Sequence, residues 1–156
     1  WYYRHIGSGN IVSNCLKHPA SEFQRERLCV QEISALLKQI TETECGRKKE
    51  FIFTVSPIRH FKDGAHGNQL SKAALLLGID GTIADNIDYF PAYEIVMDEL
   101  RDYRFYAEDM CHPTQLTVDY IRERFLGWAL HADESPRLQE KIREYRRSCH
   151  IPLESR

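Results

Sequence analysis

The feature that most constrains the fold is a short, almost fully apolar run at residues 51–55 (Phe-Ile-Phe-Thr-Val), which follows an amphipathic helical pattern at residues 30 to 43. Four apolar side chains of that pattern share one helical stripe: Ile33, Leu36, Leu37 and Ile40. Consecutive β-favouring residues are typical of a central strand buried on both faces. Because a helix followed by a buried strand is the repeating unit of a parallel sheet, the sequence predicts an α/β fold.

The remaining segments indicate further short strands and helices. Two strands joined by the turn Gly7-Ser8-Gly9-Asn10 are expected at residues 2–4 and 11–12, and a third short strand at residues 89–91. Loops are predicted at residues 14–23 and 58–67. Helices are predicted at residues 68–83, 92–100, 114–131 and 135–149. We expect residues 1–150 to form a single domain, followed by a flexible tail at residues 151–156.

Composition and charge exclude several classes of partner. Hydrophobic residues make up 42% and charged residues 28% of the chain, as in an ordinary soluble globular protein. The net charge of -2 gives no electrostatic reason to expect a nucleic acid or an anionic membrane as partner. No apolar run approaches the roughly 18 residues that span a bilayer. The five cysteines have neither zinc-ligand nor disulfide-framework spacing, which predicts reduced thiols in a cytoplasmic protein. No set of His, Asp and Glu residues has helical ligand spacing with a third ligand, so we expect no metal and no other cofactor.

The stretch that best suits catalysis is residues 109–113, Asp-Met-Cys-His-Pro. In a tight turn, an aspartate three residues before a histidine can bond the near ring nitrogen, fix the tautomer and stabilise the imidazolium. The far ring nitrogen is then free to act as a general base. A proline beside the histidine and a helix after it would hold the turn rigid. Asp109 and His112 are therefore the candidate catalytic residues.

Spacing alone leaves the role of this pair open. Asp109 could instead cap backbone donors before the next helix, with His112 as a surface residue. A second pair with the same spacing, Asp63 and His66, occurs in the second predicted loop, so context must separate the two pairs. Cys111 is a weaker candidate nucleophile, because adjacent residues of an extended turn point apart.

Several stretches together resemble one protein family. They are residues 1–4, 11–17, 54–60 (TVSPIRH), 68–73 (NQLSKA), 89–95 (YFPAYEI), 98–106 (DELRDYRFY) and 109–113 (DMCHP). On these residues the chain, over about residues 1–130, resembles the later two-thirds of a GSCFA-domain protein. That family is similar to the SGNH (GDSL-like) hydrolases.

The resemblance implies a three-layer α/β/α, flavodoxin-like fold with a mostly parallel sheet, present here as an incomplete C-terminal portion. It also implies a Ser-His-Asp ester hydrolase, in which Asp109 and His112 match the orienting acid and the base, whereas Asp63 and His66 match no catalytic position. The Gly-Ser-Cys-Phe-Ala segment that supplies the serine in this family does not occur in these residues. We therefore expect a missing N-terminal segment of the same domain to supply it, and this chain alone to be inactive.

Arg59 and His60 are candidate substrate-binding residues. They follow the predicted buried strand at the sheet edge where α/β proteins bind ligands, although an ordinary charged loop is the alternative. The leading hypothesis is a cytoplasmic hydrolase of a small-molecule or carbohydrate ester, such as an O-acetyl sugar. The competing hypothesis is a non-catalytic α/β binding or interaction domain that retains the hydrolase scaffold. A nucleotide-binding domain is a third and weaker hypothesis, because no glycine-rich phosphate-binding loop follows a predicted strand.

Overall fold

The computed structural model describes residues 1–13, 17–43 and 49–148 of a mixed α/β chain. The chain divides into two compact units, Trp1–Thr114 and Gln115–Arg156. The predicted α/β class is confirmed, whereas a single domain over residues 1–150 stays a prediction. The tail predicted at residues 151–156 lies outside the described residues.

The first unit begins with a three-stranded antiparallel sheet in the order β2-β1-β3. Its strands are β1 (Tyr2–His5), β2 (Ile11–Val12) and β3 (Phe23–Glu26). The predicted strand, turn and strand at the start are confirmed, and Gly9 in the turn has a φ of 70°, which glycine adopts without strain. β3 lies outside the predicted strands, because its polar residues become extended through pairing with β1 rather than through local pattern.

Helices α1 (Val30–Thr41) and α2 (Gly64–Asp80) pack against each other in the first unit. Their backbones approach closely at Gly78, where an added Cβ would lie 2.4 Å from Cγ2 of Ile33. The hydroxyl of Ser34 donates a hydrogen bond to the carbonyl oxygen of Gly78 at 2.9 Å. The helix predicted at residues 30–43 is thereby confirmed, and a glycine sets how close its partner helix lies.

β4 (Phe51–Phe53) and β5 (Ile87–Tyr89) form a two-stranded parallel sheet, so the predicted parallel sheet is confirmed, although the strand predicted at residues 89–91 lies two residues earlier. The expectation that the strand is buried on both faces is wrong, because Ile52 is 43% exposed. Successive side chains of a strand alternate between faces, so Phe51 and Phe53 share the other face, with ring centroids 6.1 Å apart. In the described part of the chain, the face that carries Ile52 is open to solvent.

The loop predicted at residues 58–67 is shorter in the structure. A 3₁₀ turn, Phe61–Asp63, leads directly into α2 at Gly64, four residues before the predicted helix start. Gly64 has a φ of 67°, a left-handed conformation that favours glycine at this junction. The loop that carries Arg59 and His60 is therefore held between a strand end and a helix start.

The helix predicted at residues 92–100 is present in two parts, a single α-helical turn α3 (Ala92–Glu94) and a π-helical segment (Ile95–Leu100). It ends at Arg101, which has a φ of 49° and donates its amide to the carbonyl oxygen of Val96 at 3.1 Å. The buried apolar side chains of the first unit are Ile33, Val55, Ile79, Ile87, Phe90, Ala92, Ile95, Val96 and Tyr106. Several of them belong to this helical segment and the loop after it, so the core supports the residues that precede the candidate site.

The second unit contains, in its described residues, helices α4 (Gln115–Ala129) and α5 (Ser135–Ser148). Both predicted helices are confirmed, with ends that differ by two residues or fewer; residue 149 lies outside the described residues. The rings of Phe125 and Trp128 lie 6.1 Å apart on α4.

No helix within the described ranges combines the length and the apolar character needed to cross a lipid bilayer.

Candidate active site

The candidate catalytic residues lie on a loop that is closed by a short antiparallel pairing. Tyr106 and Pro113 form an antiparallel bridge, and the amide of Ala107 donates to the carbonyl oxygen of His112 at 2.8 Å. Met110 donates its amide to the carbonyl oxygen of Ala107 at 2.8 Å and has a φ of 57°. A non-glycine residue in the left-handed region marks a sharply folded turn. The loop is therefore closed at its ends and tightly bent in the middle.

The Asp109 carboxylate organises this turn through three hydrogen bonds. Its Oδ1 accepts from the backbone amides of Cys111 at 2.9 Å and His112 at 3.0 Å. Its Oδ2 lies 2.6 Å from Nδ1 of His112. Backbone capping and orientation of the histidine, the two roles that spacing leaves open, are thus performed by the same side chain.

Hydrogen bonding keeps Asp109 ionised. The backbone and ring of His112 and the backbone of Cys111 lower the pKa of Asp109 to about 2. Because an ionised carboxylate can only accept hydrogen bonds, the proton in this contact is on Nδ1 of His112. In the neutral ring, Nε2 then carries the free lone pair. A ring in this tautomer can take a proton from a hydroxyl at hydrogen-bonding distance from Nε2.

The ring of His112 is accessible. Its side chain is 61% exposed, and that of Asp109 is 49% exposed. Within the described ranges, Nε2 of His112 makes no hydrogen bond. The Asp109–His112 pair therefore has the geometry of a general base with an orienting acid, and its free nitrogen can be approached by another group.

The second Asp-x-x-His pair is arranged differently. The side chain of Asp63 is 2% exposed and forms an ion pair with Arg25 of β3, in which Nη2 lies 3.1 Å from Oδ2. The hydrogen bond from Arg25 lowers the pKa of Asp63. This carboxylate connects β3 to the start of α2 and does not bond the ring of His66. Context therefore separates the two pairs, because only His112 has the carboxylate of its own motif at its ring.

Arg59 and His60 follow β4 and line a pocket of about 260 Å³, the Arg59 pocket. Its other polar lining side chains are Asn68, Gln69, Tyr93 and Tyr103. The ring of His112 does not line it. Burial, together with the charge of Lys72, lowers the pKa of His60, so its ring is neutral at pH 7.

The Arg59 pocket and the Asp109–His112 pair are joined through Arg59 and Cys111. The amide of Arg59 donates to the carbonyl oxygen of Cys111 at 3.2 Å, and the thiol of Cys111 donates to the carbonyl oxygen of Arg59 at 2.7 Å. The thiol is thus engaged with the backbone, which argues against a Cys-His nucleophile. The structure brings the predicted site residues into two neighbouring groups connected by one backbone pairing.

The sequence predicts no functional role for two residues of α2, Lys72 beside the pocket and Gln69 in its lining. Lys72 is 3% exposed, and its Nζ donates to the carbonyl oxygen of Ser56 at 2.6 Å. Burial lowers the pKa of Lys72. Gln69 accepts a hydrogen bond from the hydroxyl of Tyr93 at 2.5 Å. The available signal is helical spacing, because Asn68, Gln69 and Lys72 lie at positions that share one face of α2.

No group of three or more His, Cys, Asp or Glu side chains in the described ranges could hold a metal ion. The described cysteines, Cys29 and Cys111, are free thiols. That the protein uses no cofactor stays a prediction.

A comparison with protein families gives a match over most of the chain. The model of the GSCFA family matches residues 1–125, a range that contains the Asp109–His112 pair, the Arg59 pocket and the first part of α4. No curated protein and no solved structure matches the chain.

Proposed function

The chain belongs to the GSCFA family, and from that premise we propose that it is part of an SGNH-type serine ester hydrolase with a three-layer α/β/α fold. His112 is the general base and Asp109 is its orienting acid. The substrate is an O-acyl ester of a small molecule or carbohydrate. The observation that carries the proposal is the 2.6 Å contact between Nδ1 of His112 and Oδ2 of Asp109, which leaves Nε2 accessible. The proposed compartment is the cytoplasm, which the free thiols support.

In the proposed reaction, a serine hydroxyl gives its proton to Nε2 of His112 as its oxygen attacks the ester carbonyl. The ionised Asp109 stabilises the resulting imidazolium. His112 then returns the proton to the leaving alcohol, and water hydrolyses the acyl-enzyme by the same sequence of transfers. No serine of the described residues bonds Nε2, so the proposal assigns the nucleophile to a segment outside these 156 residues. On this proposal the chain by itself is inactive.

The test is turnover of p-nitrophenyl acetate and of an O-acetylated sugar by the full-length gene product and its His112→Ala variant. A loss of about three or more decades in kcat/KM fits removal of a triad member. His66→Ala is the matched control, because it removes the histidine of the other Asp-x-x-His pair, whose aspartate bonds Arg25. Near-normal turnover by His112→Ala would remove His112 from the mechanism.

The second candidate is a non-catalytic binding domain that retains the scaffold. The observation that favours it is that the described residues present a base and its acid without a bonded nucleophile. The same assay separates the two candidates, because a binding domain shows no turnover in the unmodified full-length protein. A Gly-Ser strand-to-helix turn in the full-length sequence supports the enzyme.

A further inference from the structure

Arg59 contributes a cation to its pocket without an acidic partner. Its guanidinium carbon lies 4.0 Å from the ring centroid of Tyr106 and 5.2 Å from that of Tyr103. Within the described ranges, no carboxylate lies at ion-pair distance from this guanidinium, and none of its N–H groups donates a hydrogen bond. The two rings limit the mobility of the flat cation, while its N–H donors remain available to an acceptor.

The two amide side chains that line the Arg59 pocket also have NH₂ donors without a hydrogen-bond partner among the described residues. Oδ1 of Asn68 accepts the backbone amide of His60 at 3.0 Å, and Oε1 of Gln69 accepts the hydroxyl of Tyr93 at 2.5 Å. Each amide oxygen therefore has a protein partner, whereas neither NH₂ group bonds another described residue. The pocket consequently offers mainly N–H donors, which suit a ligand rich in acceptor atoms.

Arg59 is the only permanently charged side chain among the described residues that line this pocket. No acidic residue is among its lining residues. Asp63, which is close in sequence to His60, is ion-paired with Arg25. Lys72 shares the helix face of the two amides, and its ammonium is buried with the Ser56 carbonyl as its hydrogen-bond partner. A buried ammonium without a carboxylate partner in the described ranges makes the local potential more positive.

From the unpaired guanidinium and the two free NH₂ groups, we infer that the Arg59 pocket binds an anionic oxygen group, a carboxylate or a phosphate. The ligands are the guanidinium of Arg59 and the amide NH₂ groups of Asn68 and Gln69. Naming that ligand as substrate rests on the proposed function, and it narrows the substrate to an ester that also carries an acidic group. The backbone pairing of Arg59 with Cys111 connects this subsite to the residue before His112. Arg59 is on this view a specificity-determining residue.

The experiment measures binding to the full-length protein by isothermal titration calorimetry with glucuronate, glucose 6-phosphate and neutral glucose. At least one of the two anions is expected to bind about tenfold or more tightly than glucose, because charge-assisted hydrogen bonds are roughly twice as strong as neutral ones. Arg59→Gln should weaken that binding about tenfold or more. Arg104→Gln is the matched control, since Arg104 also stacks on an aromatic ring, that of Phe105 at 5.1 Å, but does not line the pocket.

A second variant tests the charge without removing Arg59. Gln69→Glu keeps an oxygen acceptor for the Tyr93 hydroxyl, removes the NH₂ donor and adds a negative charge, so it should weaken anion binding more than it weakens glucose binding. Circular dichroism confirms that each variant is folded. Tighter binding of glucuronate would indicate a substrate with a carboxylate, and tighter binding of glucose 6-phosphate a substrate with a phosphate. Equal binding of glucose and the anions, no measurable anion binding, or equal effects of Arg59→Gln and Arg104→Gln would overturn the inference. No turnover is measured, so failure here is distinct from failure of the esterase assay.

Discussion

The carbonyl oxygen of Arg59 accepts the thiol hydrogen of Cys111 at 2.7 Å, which fastens the loop after β4 to the loop that carries Asp109 and His112. Because the thiol acts as a structural donor, Cys111→Ala should lower the free energy of unfolding by about 0.5–1.5 kcal/mol, the usual net value of a hydrogen bond. The esterase activity of the full-length protein should fall by less than about tenfold, since the backbone pairing of the two loops remains.

Urea unfolding and the esterase assay measure the two effects of Cys111→Ala. Cys111→Ser is the control, because a hydroxyl can donate to the same carbonyl oxygen. A loss of about three decades in both variants would instead identify Cys111 as a nucleophile.

The close approach of α1 and α2 predicts that Gly78→Ala destabilises the protein. The added methyl group would lie 2.4 Å from Cγ2 and 2.8 Å from Cβ of Ile33, so the helices must separate or the isoleucine must move. We expect a loss of about 1–3 kcal/mol, as for other overpacked cores. Gly127→Ala in α4 is the control, because no described atom lies within 4 Å of its added Cβ; it should stabilise by about 0.5–1 kcal/mol through helix propensity. Equal effects on chemical denaturation would contradict the packing argument.

The ion pair of Arg25 and Asp63 predicts a pH-dependent contribution to stability. Arg25→Met leaves a carboxylate that is 2% exposed without its partner and should cost about 2–4 kcal/mol, somewhat below the range for fully buried pairs because Arg25 is 25% exposed. The pKa of Asp63 is lowered by Arg25, so the contribution is complete above the unfolded pKa of about 3.9 and is lost as the pH falls through the folded pKa.

Urea unfolding between pH 7 and pH 2 tests the role of Arg25, and the difference between wild type and Arg25→Met should shrink toward the acid end. Arg27→Met is the control, because Arg27 is exposed and also lies over the ring of Trp1, at 6.0 Å, but forms no ion pair within the described ranges. An effect within about 0.5 kcal/mol is expected for such a surface change. A pH-independent difference would show that Arg25 acts through packing alone.

The hydrogen bonds to Asp109 predict where its carboxyl group titrates. Carbon-13 NMR should give a pKa of about 2. Any stability that these bonds contribute is then fully present above a pH of about 3.9 and is lost as the pH falls through the folded pKa. In His112→Ala the pKa should rise, but not to its ordinary value, because the backbone amides of residues 111 and 112 still donate. An ordinary pKa for Asp109 in the unmodified protein would contradict the arrangement described here.

The local pattern of apolar and turn residues predicts an element correctly where that element's conformation depends on its own residues alone. The apolar stripe of α1 and the turn residues between β1 and β2 act over a few positions, so both elements could be predicted closely. β3 could not, because its residues become extended only by pairing with β1. The exposure of Ile52 could not be predicted either, since a run of apolar residues shows that a strand can be buried but not which elements cover it.

In the candidate site, too, local sequence predicts some features and tertiary contacts decide others. The Asp-x-x-His spacing occurs twice, and in both pairs the aspartate could reach the histidine ring across three residues. Asp63 forms an ion pair with Arg25, which lies 38 positions earlier in the chain, whereas Asp109 bonds the ring of His112 within a closed turn. The cation stacking of Arg59 and the burial of Lys72 likewise depend on residues that are distant in sequence.

The sequence by itself determined the α/β class with a parallel sheet, and its family resemblance singled out Asp109 and His112 as the candidate acid and base. The class follows from the period of apolar residues, whereas spacing alone does not separate the two Asp-x-x-His pairs. Only the tertiary structure decided which aspartate stays beside its histidine and which joins an arginine. It also decided that the Arg59 guanidinium is unpaired by any carboxylate in the described ranges. The physical reason is that ion pairing and burial depend on distance in space, which local sequence pattern does not specify.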